Sequence, residues 1–338
     1  MFEPAKFMTK IKPKHREWEP RKYVKCWSER ETNGQNEMPL DAFVVVLATK
    51  GCSWAKNIPC FMCGYPFDGS SENATQEDII SQFQSALKNY KNEPVIKIYT
   101  SGSFLDEEEL SRECARKILE TADKSAKKII VESRPEYITP ESLKIREGLT
   151  AEFEIALGLE SADDEILKFC VNKGFTFETF KKSAQICKEH NVKVRVYLML
   201  KLPFLTELRA MEDVINSIKK VANYAETISI NPLTIQKQTL VERLYNNNEL
   251  RAPFLWSLVE CLKVGKAHFK GNLVSYPVGA GSRFGVHNCG KCDAEIAKAI
   301  TKFSLTQELK YLENLNCDCR NYWKTFLKVE DESFGIIP

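Results

Sequence analysis

The chain has 338 residues, of which 43% are hydrophobic and 28% charged, and its formal net charge is +2. These values are ordinary for a globular protein and exclude wholesale disorder. No apolar run approaches the roughly 20 residues that span a bilayer, and the first ten residues lack the apolar segment of a secretory signal. We therefore expect a cytoplasmic protein without a membrane segment, built as one large domain with an appendage or as two domains.

Positive charge is concentrated at the N-terminus. Residues 1–30 contain nine Lys or Arg and four Asp or Glu residues, although the whole chain is nearly neutral. Between positions 10 and 25 basic residues are interleaved with aromatic ones, in the order Lys12, Lys14, Arg16, Trp18, Arg21, Lys22 and Tyr23. Cations beside aromatic rings suit the phosphates and unstacked bases of a nucleic acid. The alternative is a solvated arm without a partner.

Strand-like and helix-like segments alternate through the middle of the chain. Six segments rich in valine and isoleucine are predicted strands: 42–49, 94–100, 128–133, 152–158, 192–201 and 227–231. Five further segments are predicted helices: 78–90, 107–122, 141–146, 176–190 and 206–223. The alternation predicts an α/β protein with a parallel sheet. An open (β/α)6 barrel, a doubly wound sheet and an irregular eight-stranded barrel are all compatible with it.

The alternation ends after about residue 235. We predict a helix over 252–269, a short strand over 272–276, a glycine-containing loop over 280–288 and a short helix over 306–314. The chain is therefore divided into a basic arm (1–40), an α/β domain (41–235) and a C-terminal extension (236–338).

Three of the twelve cysteines lie on the loop that follows the first predicted strand. Cys52, Cys60 and Cys63 have the spacing C-x7-C-x2-C. Three thiolates can bind three irons of a cubane cluster and leave the fourth iron open, whereas a structural zinc site usually has four protein ligands. The loop has no fourth Cys or His, which favours an open coordination position. The alternatives are a loop of reduced cysteines and a zinc site with a distant fourth ligand.

A second group of cysteines lies near the C-terminus. Cys289 and Cys292 are followed, about 25 residues later, by Cys317 and Cys319. This spacing is typical of a structural zinc site that would staple the C-terminal extension to the barrel. His287 is a substitute ligand for one of the cysteines. The competing interpretations are a second iron–sulfur cluster and four reduced thiols at the surface.

The ends of the predicted strands carry small and polar residues. In a parallel sheet, chemistry gathers at the C-terminal ends of the strands. Strands two to six end at Ser101, Gly102, Ser103, Glu132, Arg134, Gly158, Glu160, Ser161, Lys201 and Asn231. An α/β protein with no site at this edge need not show such a series.

The cysteine loop and the strand ends together resemble the radical S-adenosylmethionine (SAM) superfamily. Its hallmark is three cysteines after the first strand of a partial (β/α)6 barrel, most often spaced C-x3-C-x2-C. The longer first gap of this chain is similar to that of the Elongator-type branch. The ESRPE segment that starts at Glu132 resembles the E-[ST]-R-P-[DE] segment of that branch, and the GLES segment that starts at Gly158 resembles its fourth-strand motif.

The resemblance implies a fold, cofactors and residue roles. The expected fold is a partial (β/α)6 TIM-like barrel with a C-terminal cysteine-rich, metal-stapled extension. A 4Fe-4S cluster on the cysteine loop would bind SAM, and an electron from it would split SAM into methionine and a 5′-deoxyadenosyl radical. Met62 stands where superfamily members usually have an aromatic residue near the adenine. The other residues expected to contact SAM or substrate are Ser101, Gly102, Ser103, Glu132, Arg134, Glu160, Ser161, Lys201 and Asn231.

The basic arm, the first-gap length and the HNCGKCD and CDC segments resemble a narrower family, the archaeal RaSEA family of archaeosine synthesis. The resemblance implies a lyase whose substrate is tRNA with a lysine-modified 7-deazaguanosine in its D-loop. The partner ArcS attaches the lysine, and cleavage of a carbon–nitrogen bond then leaves a formamidine. The implied partners are tRNA, ArcS and an electron donor. Glu154 and Arg195 are candidates for holding the lysine moiety.

Two other functions are compatible with the same residues. One is another Elongator-like radical SAM enzyme that modifies tRNA by methylthiolation or carboxymethylation. The other is a non-enzymatic RNA-binding scaffold with zinc at both cysteine groups and no iron.

Overall fold

The computed structural model describes residues 6, 8, 18–35, 37–68 and 71–334. Its eight strands form one sheet in which each strand pairs with the next along the chain. The strands are β1 (Lys25–Glu31), β2 (Leu40–Val46), β3 (Val95–Tyr99), β4 (Lys128–Ser133), β5 (Glu152–Glu160), β6 (Lys193–Leu200), β7 (Thr227–Pro232) and β8 (Asn272–Val274). β1 pairs antiparallel with β2, and all later pairs are parallel.

The sheet is curled, since side chains of strands that are not neighbours meet across its concave face. Arg195 of β6 pairs with Glu31 of β1, with Nη2 and Oε1 3.0 Å apart. The Nζ atom of Lys97, on β3, lies 5.8 Å from the ring centre of Tyr276, which follows β8. The structure therefore has an open, barrel-like sheet, as the resemblance implied.

The described residues form ten α-helices, most of which cover the convex face of the sheet. They are α1 (Tyr65–Asp68), α2 (Gln76–Ala86), α3 (Arg112–Asp123), α4 (Asp164–Ile166), α5 (Phe177–Glu189), α6 (Glu207–Val221), α7 (Leu240–Asn246), α8 (Leu255–His268), α9 (Asp293–Thr306) and α10 (Cys319–Phe334). A π-helical turn, Leu167–Val171, extends α4, and short 3-10 segments include Ser142–Arg146 and Leu309–Leu312. No helix in the described ranges is long and apolar enough to cross a bilayer.

The main core lies between the convex face and the helices. Outward-facing valines and isoleucines of the strands pack there, with Ile96 and Ile129 as examples. The helices supply one apolar face each. α3 shows the pattern, since it buries Cys114, Ile118 and Ala122 at helical spacing. Alternate residues of each strand therefore point inward, which leaves the concave face for polar side chains.

The six predicted parallel strands are confirmed, and the short strand expected over 272–276 is β8. β1 was not predicted, and it lies inside the segment assigned to the arm. Three basic residues earlier in the arm, Lys12, Lys14 and Arg16, lie outside the described residues. The expected helix over 107–122 begins later, at Arg112, because the side chain of Ser111 caps it by accepting from Cys114 N. The helices expected over 141–146 and 306–314 are 3-10 segments, and α1, α4, α7, α9 and α10 were not predicted.

Candidate active site

The cysteine loop follows β2 and lies at the edge where the parallel strands end. Tight backbone turns hold it, with Ala55 N donating to Cys52 O and Cys63 N donating to Cys60 O at 3.0 and 3.1 Å. Burial raises the pKa of the Cys52 and Cys63 thiols, and the Cys60 sulfur nearby raises both further. Buried thiols whose ionisation is disfavoured, as at Cys52 and Cys63, suit a cationic metal group, which removes that penalty.

The turn after β3 packs directly against this loop. A Cβ atom added at Gly102 would lie 2.7 Å from Cys52 Cα and 2.9 Å from Cys52 N, closer than any real Cβ contact. Gly102 is therefore the residue that lets the two loops meet. The predicted Ser101–Gly102–Ser103 turn thus borders the first cysteine.

Glu109 holds the two loops together, although the sequence analysis did not select it. Its buried carboxylate accepts from Ser103 N at 2.5 Å and from the hydroxyl of Thr49. Burial raises the pKa of Glu109 to about 7, although the hydrogen bonds from Thr49 and Ser103 lower it. In sequence this residue belongs to an acidic run, 106–109, which is typical of a solvated helix start and gave no reason to select it.

The loop after β5 braces the cysteine loop from the other side. Asn172 has φ +62°, and its Nδ2 donates to the carbonyl groups of Ile58 and Pro59 at 3.0 and 3.2 Å. The carbonyl of Asn172 accepts from Trp54 Nε1 at 3.0 Å. Gly174 has φ +80°, and a Cβ atom there would overlap the indole of Trp54. The Asn172-Lys173-Gly174 segment therefore fixes the loop between the first and second cysteines.

A buried arginine stands beside the cysteine loop. The guanidinium of Arg134 lies between the rings of Trp54 and Phe175, 5.2 Å from each centre. It donates to Lys173 O at 2.6 Å and to Glu136 at 2.5 Å. Burial alone would lower the pKa of Arg134, but Glu136 and the thiols of the loop together raise it. Arg134 therefore places a fixed positive charge beside the cysteine loop.

The concave face below the loops opens at the strand ends. Glu132 of β4 is half-buried there, and the Tyr197 hydroxyl lies near its carboxylate. Burial raises the pKa of Glu132 to about 7, and the nearby Glu160 raises it as well. Glu160 ends β5 with φ +71° and pairs with Lys173 at 2.8 Å. The predicted pair Glu132 and Glu160 is thus brought together at the mouth of the barrel.

Two predicted site residues lie deeper, at the opposite end of the concave face. Arg195 Nε donates to Glu154 at 2.6 Å, and Arg195 Nη2 lies 3.0 Å from Glu31. Lys97 also pairs with Glu31. Burial would raise the pKa of Glu31, but Arg195 and Lys97 lower it to about 2. The charges of Glu154 and Arg195 are therefore balanced within the protein. That either residue contacts a substrate stays a prediction.

Other predicted residues are engaged by neighbours. Lys201, with φ +70°, pairs with Glu330 of α10 at 2.9 Å. The fully buried Ser161 hydroxyl donates to Asp213 of α6 at 2.6 Å, so it faces the helix layer rather than the mouth. Met62 is buried in an apolar cluster with Cys170 and other residues. Asn231 is half-buried at the mouth, and its Oδ1 accepts a hydrogen bond from the Ser229 hydroxyl at 3.0 Å.

The second cysteine group is assembled as expected. The sulfur atoms of Cys289, Cys292, Cys317 and Cys319 all lie within 4.8 Å of one another. Two N–H donors face these sulfurs, Trp256 Nε1 at 3.3 Å from Cys319 and Asn288 Nδ2 at 3.5 Å from Cys292. His287 is outside the group, because its ring nitrogens face Gly285 O and Arg251. Four cysteines, without the histidine, therefore form the candidate metal site.

Comparison with known proteins agrees with this geometry. The sequence matches the Radical SAM superfamily over residues 46–237. It is 43% identical over 307 residues to archaeosine synthase subunit beta of Methanosarcina acetivorans, with 89% of each chain covered. It is 41% identical over 296 residues to archaeosine synthase subunit beta of Thermococcus kodakarensis, with 85% of this chain and 91% of the relative covered.

A solved structure supports the fold. The archaeal Elp3 of Methanocaldococcus infernus, with an N-terminal deletion, superposes with a TM-score of 0.50 at 16% identity, covering 70% of this chain and 59% of that one. The barrel and its three-cysteine loop thus define a radical SAM enzyme. Within that superfamily, the chain belongs to the archaeosine synthase subunit beta family. The non-enzymatic scaffold is therefore set aside.

Proposed function

We propose that the protein is a radical SAM lyase that completes archaeosine in tRNA by cleaving a carbon–nitrogen bond of a lysine-modified 7-deazaguanosine. The observation that carries this proposal is the similarity to two archaeosine synthase beta subunits over nearly the whole chain. A modification with that product requires a tRNA substrate. The partner is ArcS, the subunit that attaches the lysine, and an electron donor serves the cluster.

The chemistry of the bond explains why a radical enzyme is needed. The carbon next to the linking nitrogen is an unactivated side-chain carbon of lysine, so acid–base catalysis has no acidic proton to remove there. A 4Fe-4S cluster with SAM supplies, when bound, a 5′-deoxyadenosyl radical that removes a hydrogen atom from such a carbon. Loss of one electron from the resulting carbon radical to an electron acceptor, followed by addition of water to that carbon, would then break the carbon–nitrogen bond, so that the nitrogen stays on the base as part of the formamidine and the lysine carbon leaves as an aldehyde.

The described residues fit such a cofactor. Cys52, Cys60 and Cys63 would bind the cluster, and the close approach at Gly102 would bring the β3 turn beside it. Arg134 would balance part of the negative charge of the thiolates. Glu132 and Glu160 would bind polar groups of SAM or substrate at the mouth. The role of the protein is to position these groups and exclude water around them.

We also propose that the second cysteine group binds zinc. A tetrahedral zinc with Zn–S bonds of about 2.3 Å places its sulfurs about 3.8 Å apart. Three of the six sulfur–sulfur separations are 3.9 Å for Cys289–Cys292, 3.7 Å for Cys289–Cys317 and 3.6 Å for Cys292–Cys319, and all six are within 4.8 Å. A cubane cluster binds each thiolate through a different iron and would need a wider group.

The test is conversion of a defined substrate. The anaerobically reconstituted enzyme would be incubated with SAM, dithionite and tRNA that carries the lysine adduct, and the nucleosides would be analysed by mass spectrometry. We expect archaeosine from the lysine-modified tRNA and none from tRNA that carries the unmodified nitrile base. A Cys60→Ala variant serves as the inactive control. SAM cleavage that leaves the lysine adduct intact would contradict the proposed substrate.

A further inference from the structure

Exposed aromatic side chains are concentrated at the mouth of the barrel. Among the described residues, five aromatic side chains are exposed: Tyr65 (64%), Phe169 (55%), Phe204 (42%), Phe284 (43%) and Tyr322 (63%). Four of the five belong to connections that follow strand ends, and Tyr322 lies on α10, three residues after Cys319. Since the core does not require these four rings, their common location needs another explanation.

Each of the four rings is tied to a different strand end. Tyr65 begins α1, two residues after Cys63, and its hydroxyl is near the Cys63 thiol and Glu132. Phe169 lies in the π-helical turn that follows β5. Phe204 follows β6, and Phe284 accepts a backbone hydrogen bond from Ile235, just after β7, at 2.8 Å. The C-terminal ends of parallel strands share one edge, so the four rings surround the mouth.

The backbone at Phe204 is strained without a packing reason. Leu205 N donates to Leu202 O at 3.4 Å, which closes a turn with Pro203 and Phe204 at its centre. Phe204 has φ +69°, at the turn position where glycine is normally found. A bulky side chain in this conformation costs energy. Because 42% of Phe204 is exposed, burial offsets only part of the cost, and a role in binding explains the rest.

A basic side chain lies beside each of two rings. Lys168 Nζ lies 4.7 Å from the centre of Phe169, and the guanidinium of Arg283 lies 4.6 Å from the centre of Phe284. Basic groups neutralise phosphates, and exposed rings stack on bases that are not paired. The combination suits single-stranded nucleotides better than it suits a duplex, whose bases have no free faces.

We propose that Tyr65, Phe169, Phe204 and Phe284 form an aromatic rim that stacks on unpaired nucleotides of the RNA next to the base undergoing reaction. This inference rests on the proposed tRNA substrate and specifies how it is recognised. The rim holds splayed-out loop nucleotides, while Lys168 and Arg283 bind their phosphates.

The experiment measures binding of fluorescently labelled tRNA to the anaerobically reconstituted full chain by anisotropy. Phe169→Ala, Phe204→Gly and Phe284→Ala are each expected to weaken binding by about fivefold or more. Tyr322→Ala is the matched control and should bind like the wild type. Phe204→Gly has a second readout, since relief of strain should leave Tm unchanged or raise it. A lowered Tm in Phe204→Gly would show a structural role and contradict the proposal for that residue.

Salt dependence separates stacking from phosphate contact. Lys168→Ala and Arg283→Ala should each reduce the slope of log Kd against log salt concentration by about one, whereas the phenylalanine variants should leave it unchanged. A duplex RNA of equal length should compete poorly. Equal competition by the duplex, or unchanged binding in all three phenylalanine variants, would overturn the aromatic rim alone. Failure of the wild type to bind any tRNA would overturn both the rim and the proposed function.

Discussion

Lys201, at the end of β6, donates to Glu330 of α10 at 2.9 Å. The same helix begins at Cys319, a member of the four-cysteine group. Glu330 comes eleven residues after Cys319, so the two lie roughly 17 Å apart along the helix. One rigid element therefore joins the proposed zinc site to the barrel mouth, and the zinc site would set the position of α10 over the strand ends.

Loss of the zinc site should lower stability without removing the iron–sulfur cluster. We expect Cys292→Ala to lose zinc and to lower Tm by roughly 5 °C or more, because a structural metal contributes directly to folding free energy. Cys26→Ala, which changes a cysteine outside both groups, is the control and should keep its zinc. The measurements are metal analysis, a melting curve and the visible spectrum of the reconstituted cluster. A normal Tm after zinc loss would contradict the stapling role.

A side chain at Gly102 should prevent assembly of the cluster. The Cβ of Gly102→Ala would meet the backbone of Cys52, which has no room to move without displacing the cysteine loop. We expect the variant to retain less than half of the wild-type iron after reconstitution. Ser101→Ala, one position earlier, should retain the full amount. Iron and sulfide analysis checks the prediction, and equal iron content in the two variants would contradict it.

Asn172 should matter for the cysteine loop through its side chain rather than through its backbone conformation. Asn172→Gly keeps the left-handed conformation but loses the hydrogen bonds to Ile58 and Pro59. We expect a loss of about 1–2 kcal/mol of stability, together with faster loss of the cluster in air. Asn191→Gly, at another exposed left-handed position, is the matched control. Equal cluster lifetimes in the two variants would count against the bracing role.

The ion pairs of Glu31 with Lys97 and Arg195, at the end of the concave face opposite the mouth, should stabilise the fold in a pH-dependent way. Glu31→Gln leaves Lys97 and Arg195 without a shared partner and should cost about 3 kcal/mol at neutral pH. Glu29→Gln, which changes a partly exposed partner of Lys97, should cost less than about 1 kcal/mol.

The direction of the pH effect follows from the lowered pKa of Glu31, about 2 in the folded protein. Its contribution is fully present above the ordinary glutamate pKa and is lost as pH falls from there towards 2. The stability difference between wild type and Glu31→Gln, measured by denaturant unfolding, should therefore shrink on acidification. A difference that is constant between pH 7 and pH 3 would contradict this assignment.

The fold was predictable where the residues themselves carry the pattern. Buried parallel strands are runs of valine and isoleucine, so six strands were found from the sequence alone. β1 was missed because Lys25, Glu29 and Glu31 make it resemble a solvated segment. The cations that balance Glu31 are Lys97 and Arg195, which lie far along the chain. Only the folded sheet reveals that match.

The site was predictable to the same extent. Cysteine spacing predicted both candidate metal groups, because ligands of one site cluster in sequence, and the structure brings the four sulfurs of the second group together. Glu109 and Asn172 were not selected as bracing residues, since Glu109 acts through a hydrogen bond from Thr49, 60 positions earlier, and Asn172 through bonds to residues at least 112 positions earlier. The charged candidates Glu154, Arg195 and Lys201 were selected for their charge, and their partners Glu31 and Glu330 could not be inferred from sequence.

The central claim is that Cys52, Cys60 and Cys63 hold a cluster that cleaves SAM. The most direct measurement is anaerobic reconstitution, followed by iron, sulfide and zinc analysis and an assay of 5′-deoxyadenosine after addition of SAM and dithionite. We predict about four irons and one zinc per chain, with 5′-deoxyadenosine formed by the wild type and not by Cys60→Ala. Zinc without iron, or equal 5′-deoxyadenosine from both proteins, would contradict the claim.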